Sequence, residues 1–183
     1  MALTDERPVV LLTGIPAAGK STVAEALARR FARGVHVRGD VFRRMVVAGR
    51  HEMTATPTDE AWRQLRLRYR LGAATADAYH DAGFAVVVQD VVIGPPLADY
   101  AAAIRARPLV VVVLAPRADV VAGREAGRGK VAYGEDRATV ARLDAALRTE
   151  TPPIGLWLDT SLLTPAATVD AIVARGLAEG AVA

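Results

Sequence analysis

The chain contains no cysteine in its 183 residues. That absence removes disulfides, thiolate metal sites and cysteine nucleophiles from consideration. Asparagine is missing too, which excludes the guanine-reading Asn-Lys-x-Asp of GTPases and the catalytic-loop Asn of protein kinases. Lysine is nearly missing: Lys20 and Lys130 stand against 21 arginines. No apolar run reaches the roughly 18 residues that a membrane span needs. The opening "MALTDERPVV" places acids before the first apolar segment, unlike the basic start of a signal peptide. A cytoplasmic protein without a membrane partner is the expectation. There is also no internal repeat, low-complexity tract or dividing linker.

Apolar residues make up 52% of the chain, enough for one core over residues 1–183. A net charge of +3 with a pI near 9.7 admits a nucleic-acid partner. The Arg-for-Lys bias, with heavy Ala, Val and Gly use, favours a compositional origin over a dedicated basic surface. Strand-length apolar runs fall at Val9–Thr13, Val35–Arg38, Phe84–Gln89, Leu109–Leu114 and Gly155–Leu158. Several are continuous, as in parallel strands covered on both faces. Helical patterns lie between and after them, at Lys20–Ala32, Val41–Ala48, Asp59–Asp81, Leu97–Arg105, Asp136–Glu150 and Pro165–Ala178. Such alternation predicts a doubly wound α/β domain.

The most informative stretch is "VVLLTGIPAAGKSTVAEAL", Val9–Leu27. Gly14-x-x-x-x-Gly19-Lys20-Ser21 meets the phosphate-loop pattern where it must, between a strand and a helix. Gly14, Ala17, Ala18 and Gly19–Thr22 would cradle phosphates with backbone N–H groups at a helix N-terminus. Lys20 would reach the β- and γ-phosphates, and Ser21 Oγ would ligate Mg²⁺. Pro16 has no N–H to donate, but it precedes the amides that face the phosphates.

Nucleotide binding alone does not define a reaction. A motor or AAA-type ATPase normally ends its second motif strand in an acidic pair, whereas "FAVVVQD" ends in Asp90 alone. Asp90 is either a turn residue or a water-mediated Mg²⁺ or substrate contact. In "VHVRGDVFRR", Asp40 follows a strand and is either a helix cap or a base that takes the proton of an attacking hydroxyl. Arg43 lies on the same helical face and would hold an anionic substrate or the transferring phosphoryl group. The segment Gly123–Gly134, "GREAGRGKVAYG", has four glycines and suits a lid spanning residues 116–134. Its Arg124 and Arg128 would stabilise the moving charge, with Lys130 in reserve. Arg117 is a weaker candidate for stacking on the base.

Residues 41–80 are the expected acceptor region. In its long helix Trp62, Leu65, Tyr69, Ala73, Ala76 and Tyr79 form an apolar stripe, and Arg63, Arg66 and Arg70 a basic face. The three histidines have no ligand-like spacing. Asp159–Ser161 would border the base or cap a turn.

Together Gly14–Thr22, Asp40-x-x-Arg43, "VVVQD" and "GREAGRG" resemble the chloramphenicol phosphotransferase-like branch of P-loop kinases, related to shikimate, gluconate and polynucleotide 5′-kinases. The resemblance spans about Val9 to Gly176. It implies a five-stranded parallel sheet of order 2-3-1-4-5, ATP with Mg²⁺, and γ-phosphoryl transfer to a hydroxyl of a small molecule such as an antibiotic or sugar-like metabolite. Asp40 matches the base of that group, and Arg124 and Arg128 its lid arginines. Two departures concern the acceptor: Ile15-Pro16-Ala17-Ala18 replaces a Ser-rich loop, and Gln89 replaces an acid. The alternatives are a nucleic-acid or nucleoside 5′-hydroxyl kinase and a non-catalytic nucleotide switch.

Overall fold

The computed structural model describes residues 3–54, 56–126 and 137–183. Its centre is a sheet with the order β2-β3-β1-β4-β5, in which β1 is Val9–Gly14, β2 Gly34–Arg38, β3 Ala85–Gln89, β4 Leu109–Leu114 and β5 Leu156–Leu158. All four pairings along this path are parallel. Every residue of β1, β3 and β4 is buried, which is why these strands read as unbroken Val/Leu runs instead of alternating patterns. The five-stranded expectation and its order are met, with one addition.

That addition is β6, Ala181–Val182, which pairs antiparallel with Leu109 and Val110 of β4. The cause is the shortness of β5, which pairs only with Val112–Leu114. The amino-terminal half of that edge of β4 would otherwise expose unpaired backbone groups. A two-residue strand carries no periodicity, so sequence patterning could not reveal it.

The helices are α1 (Lys20–Ala28), α2 (Gly39–Met45), α3 (Asp59–Asp81), α4 (Pro96–Ala103), α5 (Ala118–Ala126), α6 (Arg137–Glu150) and α7 (Pro165–Glu179). Helix α3 has the expected limits. Its Thr58 caps it by accepting from Ala61 N at 3.1 Å, and Thr164 does the same for α7 through Ala167 N at 3.1 Å. Helix α1 ends four residues before the expected limit. Helix α5 occupies sequence assigned to a lid loop, so Gly123 and Arg124 are helical. Helices α1 and α7 pack together, as do α3 and α4, forming layers about the sheet. The apolar stripe of α3 is only partly core: Tyr69, Ala73 and Ala76 are buried, while Trp62 and Tyr79 are substantially exposed. Among the described residues, no helix is long and apolar enough to cross a membrane.

Because the main strands are parallel, their carboxyl ends share one edge. Gly14, Arg38, Gln89, Leu114 and Leu158 end their strands there, where open α/β sheets bind ligands.

Candidate functional site

The loop after β1 is built on a turn. Ala18 N donates to Ile15 O at 3.2 Å, with Pro16 and Ala17 between them and Ala17 at φ 59°. A hydrogen-bonded turn with proline at its second position and positive φ at its third is a type II turn. Glycine is preferred at that third position; here Ala17 takes it at a cost of about 1–2 kcal/mol. Pro16, which looked out of place in a phosphate loop, is therefore pre-shaped for the bend. Gly19 follows at φ 93° and is the N-cap of α1. The Lys20 ammonium is buried and donates to Ile15 O at 2.7 Å. Ser21 Oγ donates to Gln89 Oε1 at 3.1 Å, joining the loop to the end of β3.

On one side of this loop lies a cavity of about 170 Å³ lined by Ala18, Gly19, Thr22, Arg124, Thr160 and neighbours on α7. Arg124 Nη2 donates to Thr160 O at 2.9 Å. Thr160 Oγ1 is buried and has no hydrogen-bond partner among the described residues. An unpaired buried hydroxyl is costly, and one lining a cavity is suited to meet a ligand's polar edge. Arg117, by contrast, pairs with Asp119 at 3.2 Å and does not line this cavity.

A second cavity, of about 210 Å³, lies between α2, the following loop and α3. Arg43 and Arg68 are among its walls. Arg43 pairs with Glu52 across the loop. Asp40 lies in the first turn of α2, whose N-cap is Arg38, so the expected capping position for Asp40 is not met. Its carboxylate accepts from Arg44 at 2.8 Å, lies 3.8 Å from Arg38 Nε, and is 41% exposed.

Asp90 is fully buried, and Arg68 holds both of its oxygens: Nε donates to Oδ2 at 2.8 Å and Nη2 to Oδ1. Val91 N also donates to Oδ1, at 2.7 Å. Asp90 thus anchors α3 to the end of β3, next in sequence to Gln89. Burial pushes the Arg68 guanidinium below its usual value, opposed by the charges of Tyr69 and Asp40. Burial also raises the Tyr69 hydroxyl to about 12; it donates to Val91 O at 2.8 Å. Gly39 is required by this packing, since a Cβ there would lie 1.9 Å from Asp90 Oδ2.

Arg128 and Lys130 lie outside the described residues. Two contributors are not assigned by the sequence, Arg68 and Gln89 as the partner of Ser21, while Thr160, expected only as part of a segment bordering the base or capping a turn, supplies a specific hydroxyl. For Arg68 a signal exists. Gln64, Arg68 and Leu71 recur at helical spacing and face α2, apart from the Arg63/Arg66/Arg70 face. For Gln89 and Thr160 only tertiary structure brings the partners together.

Mg²⁺ binds hard oxygen donors and keeps several waters and phosphate ligands. The Ser21 hydroxyl and Gln89 carbonyl fit that requirement. No group of three or more His, Cys, Asp or Glu among the described residues forms a closed metal site.

The fold and loop thus define a P-loop α/β protein of the kinase-like type. Residues 9–153 match the family described as an AAA domain, and the chain belongs to that family. Solved structures extend the likeness over nearly the full length. A sugar kinase from Janibacter sp. shares 18% identity over 93% of this chain and 96% of its own, at a TM-score of 0.68. A gluconokinase from Sinorhizobium meliloti shares 21% over 94% and 92%, at 0.64. The tunicamycin resistance protein of Deinococcus radiodurans shares 17% over 97% and 99%, at 0.67. At these identities the likeness shows the fold. A comparison with curated proteins finds no match.

Proposed function

We propose that the chain is an ATP-dependent phosphotransferase that moves the γ-phosphoryl group to a hydroxyl of a small molecule. The observation that carries this reading is the phosphate loop with its own cavity, at Gly19, Arg124 and Thr160, together with a second, separate cavity walled by α2 and α3, Arg43 and Arg68 among its residues. A nucleotide switch needs only the first; a transfer reaction needs a second, for the acceptor. The sugar kinase and gluconokinase likenesses agree with it.

In this reading Gly14, Ala17, Ala18 and Gly19–Thr22 receive the phosphates, and Arg124 with Thr160 borders the base. Lys20 turns from Ile15 O to the β- and γ-phosphates. Ser21 Oγ, with Gln89 behind it, would hold Mg²⁺, which would supply positive charge against the phosphates. Residues 41–80 hold the acceptor. Asp40 takes the proton of the acceptor hydroxyl as its oxygen bonds to the γ-phosphorus; the bond from that phosphorus to the β–γ bridging oxygen breaks, and ADP leaves. Arg43, Arg124 and Arg128 offset the charge spread over the equatorial oxygens, and residues 116–134 close over the nucleotide to exclude water. Within this class we favour the chloramphenicol phosphotransferase-like subtype acting in the cytoplasm, on the "VVVQD" strand end and "GREAGRG".

The Asp40→Asn variant tests the assignment of the base. It should bind ATP as before and transfer phosphate about 10²–10⁴-fold more slowly. Undiminished transfer would refute the role given to Asp40.

A further inference from the structure

Another cavity, of about 360 Å³, lies between α3 and α4, a size within the roughly 300–1,000 Å³ of small-molecule pockets. Trp62, Leu65 and Tyr69 of α3 and Pro96, Tyr100 and Ala103 of α4 line it. Among the described residues it shares only Leu65 with the cavity between α2 and α3, and none with the cavity at Gly19. The Tyr69 and Tyr100 rings stack in its wall, with centroids 4.9 Å apart and planes 26° from parallel. Trp62 is 36% exposed beside them. Such a wall is suited to receive another flat ring.

Three charged side chains stand in the same wall: Arg66 and Arg70 of α3 and Asp99 of α4. None of them forms an ion pair or hydrogen bond with a described residue. The neighbouring charges are committed elsewhere, Arg63 to Glu60, Arg68 to Asp90, and Arg105 to Asp77 and Asp81. Two arginines against one aspartate leave one positive charge uncompensated. Arg66 and Arg70 are also one helical turn apart, a spacing at which like charges destabilise a helix. One anion between them offsets that repulsion. The Trp62 indole N–H and the buried Tyr100 hydroxyl likewise have no acceptor among the described residues. Donors outnumber acceptors in this wall, so it favours an occupant rich in acceptors.

We propose that the α3–α4 cavity binds a small aromatic carboxylate, its ring against Trp62 and the Tyr69–Tyr100 stack and its carboxylate between Arg66 and Arg70. The planar guanidinium fork matches a carboxylate in shape and charge, and one negative charge brings the cavity to neutrality. Asp99 opposes any second negative charge, which disfavours inorganic phosphate and nucleic acid at this basic face. The site is separate from the nucleotide and acceptor cavities, and the inference does not rest on the transfer reaction.

Calorimetric titration of the full chain with 2-naphthoate and 3-(indol-3-yl)propanoate tests this, beside 2-naphthylmethanol, 2-naphthylmethylamine, inorganic phosphate and an oligothymidylate. The carboxylates should bind at a single site per chain, about 10-fold or more tighter than the alcohol, the amine or phosphate, because only they make charge-assisted bonds to both arginines. Arg66→Gln and Arg70→Gln, at exposed positions, should each weaken carboxylate binding about 5-fold or more, with thermal unfolding of the free chain unchanged. Asp99→Asn should tighten it. Leu67→Glu in the α2–α3 cavity, and saturation with a non-hydrolysable ATP analogue and Mg²⁺, should leave it unchanged. No binding of the carboxylates, equal binding of the alcohol, or binding indifferent to both arginine substitutions would overturn the inference. So would weaker binding in Asp99→Asn, loss of binding in Leu67→Glu, or competition with the ATP analogue. Tighter binding of the oligothymidylate, lost in the same arginine variants, would overturn it and assign this face to nucleic acid.

Discussion

Arg68 grips Asp90 with two parallel hydrogen bonds, and the carboxylate it grips is fully buried while the guanidinium is 15% exposed. The pair fixes α3 to the end of β3, and Gly39 leaves the space into which the carboxylate packs. Removing one partner of a buried ion pair leaves a desolvated charge, at a cost of about 3–5 kcal/mol. For a chain of this size Arg68→Ala should therefore lower Tm by about 6–20 °C. Thermal unfolding with and without Mg²⁺ decides between two roles for Asp90. Asp90→Asn should lose stability in either condition. Full stability together with a loss of Mg²⁺-dependent nucleotide binding would assign Asp90 to the metal instead. Gly39→Ala should reproduce part of the instability.

The phosphate loop offers a paired prediction. Ala17 pays for a left-handed conformation that glycine adopts freely, so Ala17→Gly should be neutral or stabilising by up to about 1 kcal/mol, with unchanged nucleotide affinity. At φ 93° Gly19 has the opposite requirement. Gly19→Ala should destabilise by about 1–2 kcal/mol and weaken nucleotide binding. Thermal melts and calorimetric titration with an ATP analogue measure both.

These positions also show what the chain discloses before it folds. The sheet was legible because β1, β3 and β4 are buried on both faces and must be apolar throughout. The phosphate loop was legible because Gly14, Gly19, Lys20 and Ser21 meet their requirements within eight residues. The anchoring role of Asp90 was not legible because a lone acid at a strand end is ambiguous until its partner is known, and Arg68 lies 22 residues away in sequence. Helix α5 was missed because "GREAGRG" suggests loop chemistry by its glycines, although Gly123 and Arg124 complete a helix that begins at Ala118. Thr160 meets Arg124 only after the chain returns through α6 and β5.

Tyr69 gives the protein a defined alkaline limit. Its hydroxyl is held neutral by burial to about pH 12, against an ordinary value of 10.0. Between those values the unfolded chain has released the proton and the folded chain retains it, so stability present below pH 10 is lost as pH rises towards 12. The contribution is of order 2–3 kcal/mol. Tyr100, raised by burial as well, adds a loss of the same sign. Denaturant unfolding from pH 8 to 12 should show the decline, and Tyr69→Phe should reduce its slope. An identical slope in that variant would remove Tyr69 as a cause.

The unpaired hydroxyl of Thr160 predicts a separation of stability from binding. Thr160→Val removes a buried group that has no partner among the described residues, so the free protein should keep or slightly gain stability. If the hydroxyl meets the nucleotide, ATP affinity should fall by about 2–12-fold, the value of one neutral hydrogen bond of about 0.5–1.5 kcal/mol. Arg124→Ala should weaken ATP binding further and also slow transfer. Calorimetric titration of each variant with ATP·Mg²⁺ supplies the comparison.

The central claim is that the second cavity receives a hydroxyl compound to which phosphate is transferred. Incubation with ATP·Mg²⁺ and a mixed panel of hydroxyl antibiotics, aryl alcohols, sugars, nucleosides and 5′-hydroxyl oligonucleotides, followed by mass spectrometry, tests it most directly. The account predicts that a hydroxyl compound gains one phosphate as an equal amount of ADP forms, and that Asp40→Asn slows the gain about 10²–10⁴-fold. Release of inorganic phosphate at a rate indifferent to every compound in the panel, with no acceptor gaining mass, would contradict it.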